Sequence, residues 1–102
     1  MANSALEKMQ DINKEKLIEL LTDELPVLRA KIGLSQEDVS MIIGISRQTY
    51  SAIETKKRKM TWSIALSLIL YYEQNESTRL MVEGMGVITD ELRQILNMNR
   101  RE

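Results

Sequence analysis

Arg47 and Gln48 stand side by side just after Ser46, and both side chains can make paired hydrogen bonds to flat heteroaromatic edges. An arginine fork matches the two acceptors on guanine, and a glutamine amide matches the acceptor–donor pair on adenine. Both residues fall at the start of a short helical stretch, the end that such a helix pushes into a major groove. Lys56, Lys57, Arg58 and Lys59 follow directly after that stretch, a cationic run suited to a phosphate backbone. The chemistry on offer is recognition rather than bond making. The chain has no cysteine and no histidine, so Cys/His zinc sites, Cys–His and Ser–His nucleophile pairs and the commonest general base are all missing. The four glycines (33, 44, 84 and 86) form no phosphate-cradling loop. No catalytic residue, metal site or cofactor is expected.

The elements that must position these residues can be read from caps and periodicity. Ser35 and Asp38 have capping-box spacing and open a helix that stops at Gly44. Ser46 caps the next helix, which runs to about Thr55, and Thr61 caps another whose inner face includes Trp62, Ala65, Leu66, Ile69 and Tyr72. With Arg47 at the origin and 100° per residue, Ser51, Thr55, Gln48 and Ala52 fall within about 140° on one side. Tyr50 and Ile53 fall on the other side with Thr49, and are expected to pack inward with Val39, Ile43 and Ile45. The helix thus divides into a reading face and a packing face.

Upstream, a helix is expected from about Asn13 through Leu17, Ile18, Leu20 and Leu21. Thr22 can then cap a second helix with Pro26 in its first turn, or a single kinked helix can span about 13–32 and end at Gly33. Ser4 and Glu7 have capping-box spacing in a polar N-terminal segment. Downstream, residues 76–83 suit a short helix interrupted by Gly84 and Gly86, and Thr89-Asp90-Glu91 starts a last one. Helical periodicity throughout predicts an all-α fold.

At 102 residues the chain can bury one modest core, and no stretch is long and apolar enough to span a bilayer. Residues 1–16 mix acidic and basic side chains without an apolar export core, so a cytoplasmic location is expected. The net charge of −1 is unevenly spread. Residues 1–28 carry three basic and six acidic side chains, and residues 62–102 carry four and six. Residues 29–61 carry seven basic against three acidic, so the positive charge coincides with the two-helix pattern.

Leu34-Ser35-Gln36-Glu37-Asp38-Val39, Gly44-Ile45-Ser46-Arg47-Gln48-Thr49 and Ile53-Glu54 resemble the helix-turn-helix of the phage repressor and Cro class, the XRE family. The resemblance covers about residues 22–75. It implies a compact four- to five-helix repressor-like domain that binds operator DNA, usually as a dimer on a palindrome. Residues 1–21 and 76–102 would then be N- and C-terminal helical extensions. Carried across by position, Arg47, Gln48, Ser51 and Ala52 would read bases. Gln36, Ser46, Thr49, Lys57, Arg58 and Lys59 would meet phosphate. Arg29 and Glu54 would form a structural ion pair joining two helices.

Four positions depart from the family pattern. Lys56 replaces the glycine that usually follows the recognition helix, which implies a strained or different turn. Tyr50 replaces an aliphatic residue and needs room in the core. Met41 and Ile42 stand at normally polar positions, where they either pack on the N-terminal extension or another subunit, or are scattered surface residues.

The functional expectation is a sequence-specific DNA-binding regulator, a repressor, acting as a homodimer on double-stranded DNA. Leu80, Met81, Val82, Ile88, Leu92, Ile95 and Leu96 are candidates for the dimer interface or for covering the domain's own core. Two alternatives remain: an antitoxin-type autoregulator with a toxin partner bound through a terminal extension, and an adaptor using the same fold only for protein binding.

Overall fold

The structure is a computed structural model and describes residues 12–96, in which six helices and no strands occur. They are α1 Lys14–Lys31, α2 Gln36–Ile43, α3 Arg47–Glu54, α4 Trp62–Gln74, α5 Glu76–Gly84 and α6 Asp90–Leu96. The Ser4–Glu7 capping box lies outside the described residues.

The upstream segment is one helix, and the two-helix alternative with a cap at Thr22 is corrected. Asn13 caps α1 by accepting from the Lys16 N–H, and the helix runs through Pro26. The Thr22 hydroxyl caps nothing; it donates back to the Ile18 carbonyl at 2.7 Å. An interior proline costs about 3 kcal/mol. Against that, Leu17, Ile18, Leu21, Leu25 and Leu28 are all buried, and each such side chain contributes about 1.5–3 kcal/mol. Continuous burial on both sides of Pro26 outweighs the lost hydrogen bond. The unbroken helix also crosses from residue 21 to residue 22, so the N-terminal segment and the two-helix unit share a core.

α1 packs against α3, α4 and α5, while α2 packs on α3 and α4. Val39, Tyr50, Ile53, Ala65, Leu68, Ile69 and Tyr72 join the α1 leucines in the centre, with Met60 closing it from the loop before α4. Ile43 and Ile45 lie partly buried against this core, as do Trp62 and Leu66. At the C-terminal end Val82, Val87 and Leu92 are buried in the same cluster. These three cover the domain's own core, whereas Leu80 points out, 73 % exposed.

Candidate nucleic-acid interface

Local chemistry sets the angle between α2 and α3. The Ser35 hydroxyl accepts from the Asp38 N–H, and the Asp38 carboxylate accepts from the Ser35 N–H, completing the capping box. At the other end Gly44 adopts φ +81°, and the N–H groups of Gly44 and Ile45 both donate to the Ser40 carbonyl. A Cβ on Gly44 would meet nothing within 4 Å, so glycine is required there for its left-handed backbone rather than for space. Ser46 then caps α3 by accepting from the Thr49 N–H, and its own hydroxyl donates to the Thr49 hydroxyl at 2.9 Å.

The outer face of α3 is open. Arg47 and Gln48 are exposed at its start, with Ser51 and Ala52 half-buried behind them. Together with Thr55 and Lys57 they line a shallow depression of about 320 Å³. Arg47, Gln48, Ser51 and Ala52 therefore lie on one surface, and Lys57 borders it. Ser46 and Thr49 do not line the depression and are hydrogen-bonded to each other.

The turn after α3 is a Schellman motif built on a non-glycine residue. The Lys56 N–H donates to the Ile53 carbonyl and the Lys57 N–H donates to the Ala52 carbonyl, with Lys56 at φ +66°. Lys56 is the one positive-φ residue other than glycine among the described residues. A left-handed residue with a Cβ costs about 1–2 kcal/mol. The two turn hydrogen bonds hold it there, and the Lys56 ammonium reaches Asp23 of α1 at 2.6 Å. Lys59 likewise reaches Glu15 of α1 at 3.4 Å. Lys57 and Arg58 are exposed.

Behind α3, Glu54 anchors the helix. Its side chain is 5 % exposed and accepts four hydrogen bonds. Arg29 of α1 donates from Nε to Oε2 and from Nη2 to Oε1, both at 2.9 Å. Gln36 donates to Oε1 at 2.6 Å, and the Tyr50 hydroxyl donates to Oε2 at 2.8 Å. The third guanidinium nitrogen of Arg29 donates to the Leu34 carbonyl. One carboxylate thus ties α1, α2 and α3 together. Burial pushes the Glu54 carboxyl up, but the donors Arg29, Tyr50 and Gln36 outweigh it and hold it below its usual range. The Tyr50 hydroxyl is pushed up by burial and by its bond to Glu54, so it stays a donor.

The side-chain placements add what residue type alone did not reveal. Tyr50 finds its room because its hydroxyl has a buried acceptor one helical turn away, a Tyr–Glu spacing visible in the sequence as i, i+4. Gln36 is held by Glu54 through one amide hydrogen, leaving the other N–H at the start of α2 to serve as a donor. The acidic side chains of α1 over the basic loop had no sequence signal, because they lie more than thirty residues away from it. Met41 and Ile42 are exposed, as is Val27.

No group of three or more His, Cys, Asp or Glu able to hold a metal ion occurs among the described residues, and no described helix is long and apolar enough to cross a membrane. Residues 28–66 match the family model described as helix-turn-helix, spanning the end of α1 through the start of α4. No curated protein and no solved structure matches the chain.

Proposed function

We propose that residues 28–66, which match the helix-turn-helix family model, form an XRE-type DNA-binding domain, and that the protein is a sequence-specific transcriptional repressor reading operator DNA through α3. The observation that carries this reading is the exposed depression where Arg47, Gln48, Ser51 and Ala52 meet on a helix braced from behind by the Glu54 network. Such a surface has polar side chains to exchange with base edges and small ones that let the helix approach. Arg47 pairs with guanine and Gln48 with adenine, while Ala52 meets a thymine methyl. The free N–H of Gln36, Lys57 and Arg58 hold phosphates and fix the register. The Ser46–Thr49 pair stays with the cap, and Thr49 contributes at most an edge contact to phosphate.

The reading includes a homodimer on a palindromic site, with two α3 helices about 34 Å apart. Leu80 on α5 is its candidate contact, because Val82 and Leu92 already belong to the core. A Leu80→Glu variant is then expected to run as a monomer in solution while keeping its helical signal. An unchanged size would remove α5 from the interface. Exposed Met41 and Ile42 favour, as a second reading, a protein partner bound alongside DNA.

Selection from a random duplex pool tests the main reading. Wild type should enrich a palindrome and lose affinity steeply with salt. Arg47→Ala should lose about 1–3 kcal/mol of binding and relax preference at one base pair of each half-site. Binding that is absent, or indifferent to salt, would overturn the proposal.

A further inference from the structure

α1 carries Glu15, Glu19 and Asp23 four residues apart, which places all three on one stripe of the helix. That stripe faces the loop after α3. Asp23 pairs with Lys56 at 2.6 Å and Glu15 pairs with Lys59 at 3.4 Å, and Glu19 adds its charge to the field at Lys56. The two sets of side chains face each other across an open cleft of about 610 Å³ floored by Ile18 and Met60. All four paired side chains are more than half exposed, so the pairs can open without disturbing the core.

A lysine ammonium is a single point charge, and it cannot hold a carboxylate and a phosphate at full strength together. Two of the four cations that the sequence offers to a DNA backbone are therefore already engaged within the chain. We infer that the acidic stripe of α1 competes with DNA phosphate for Lys56 and Lys59, leaving Lys57 and Arg58 as the loop's standing phosphate contacts and limiting the affinity of the domain for DNA. This inference rests on the DNA-binding reading above and assigns a role to residues outside the recognition surface. The competition is local: it depends on which carboxylates line the cleft, not on the net charge of the chain.

The test compares operator binding by wild type, Glu15→Gln/Asp23→Asn and the control Glu76→Gln/Asp90→Asn, from about 50 to about 200 mM salt. The control makes the same change in net charge at exposed positions that do not line the cleft. An exposed ion pair is worth about 1.5- to 5-fold in an equilibrium constant. The cleft variant is accordingly expected to bind about three- to tenfold tighter at the low-salt end, with the advantage shrinking as salt rises. Its salt slope should steepen by up to about two per protomer as two lysines become available to phosphate. In the lysine arm, Lys57→Ala should lose more affinity than Lys59→Ala. Equal or weaker binding by the cleft variant would overturn the inference, as would an equal gain in the control or equal losses for the two lysines. If wild type binds no duplex at all, the DNA-binding reading fails and takes this inference with it. If wild type binds but the cleft variant gains nothing, the inference alone fails.

Discussion

Two carboxylates are buried in this molecule to nearly the same depth, Glu54 at 5 % and Glu73 at 7 % side-chain exposure, yet they differ in what surrounds them. Glu54 accepts from a bidentate arginine, a glutamine and a tyrosine, and both of its oxygens are satisfied. Glu73, on α4, has one oxygen with no hydrogen-bond partner, and its other oxygen lies 3.8 Å from Arg93 of α6. Arg93 also meets Glu83 of α5 at 3.3 Å, so two carboxylates share one guanidinium. The environments drive the two groups in opposite directions. Glu54 is held below the usual carboxylate range, whereas burial, together with the neighbouring Glu83, raises Glu73 above it. The satisfied carboxylate fixes α3 against α1 and α2; the under-satisfied one joins the helices that close the core. Burial alone does not make a charge structural. The number and geometry of its donors do.

The sharpest way to break this contrast is Glu54→Gln. The amide cannot accept from Arg29, Gln36 and Tyr50 together, and Arg29 is left without its counter-charge at 20 % side-chain exposure. The expected loss is about 3 kcal/mol of unfolding free energy, near the lower end for breaking a buried pair because Arg29 keeps some water. Urea melts would measure it, and a loss under about 1 kcal/mol would mean that the network contributes little. Operator affinity should fall further than stability explains, because α3 loses its brace to α1 and α2.

A smaller cut isolates the tyrosine. Tyr50→Phe keeps the ring in the core and removes only the donor to Glu54. A hydrogen bond to a charged group contributes about 1.5–3 kcal/mol, and the three remaining donors soften the loss toward about 1.5 kcal/mol. Because the missing donor had favoured the carboxylate, the Glu54 pKa should rise in the variant. Ionised Glu54 supports folding above its unfolded pKa, and that support is lost as pH falls through the folded value. Acid unfolding of Tyr50→Phe is therefore expected to begin at higher pH than in wild type. A melt unchanged in both midpoint and acid limb would place the energy of the hub in Arg29 and Gln36 alone.

The same distinction explains which parts of the molecule were legible in the sequence. Caps at Ser35, Ser46 and Thr61 and the turn at Gly44 could be read because each acts within four residues. The face of α3 was legible for the same reason, since helical geometry alone sorts Arg47 and Gln48 from Tyr50 and Ile53. Thr22 and Pro26 misled because they are local signals overruled by the long-range burial of α1. The acidic stripe over the loop and the Glu73–Arg93–Glu83 cluster were invisible, since each joins residues whose proximity only the tertiary fold creates. Charge counted by segment located the basic third of the chain but missed that α1 folds its own carboxylates onto it.

Glu73→Gln is expected to act with the opposite sign and the smallest size. An amide of the same shape removes a poorly paired buried charge, and its N–H₂ can donate to the neighbouring Glu83 carboxylate. The variant is expected to gain about 0.5–1 kcal/mol at neutral pH, because the cost of burying the charge is removed while Arg93 keeps Glu83 as its counter-charge. The pH dependence gives the discriminating readout. A carboxyl whose folded pKa is raised destabilises the fold as pH climbs from its unfolded value through its folded one, so wild type should lose this contribution above the ordinary carboxylate range. Glu83, held below its usual value mainly by Arg93, acts in the reverse sense at lower pH. Removing Glu73 should therefore flatten the stability curve on the upper side of carboxylate titration, and because Glu73 helps Arg93 hold Glu83 down, it should also shrink the contribution of Glu83 on the acid side. A net loss of stability at neutral pH would show that the 3.8 Å approach to Arg93 outweighs the cost of burial, placing Glu73 in the same class as Glu54.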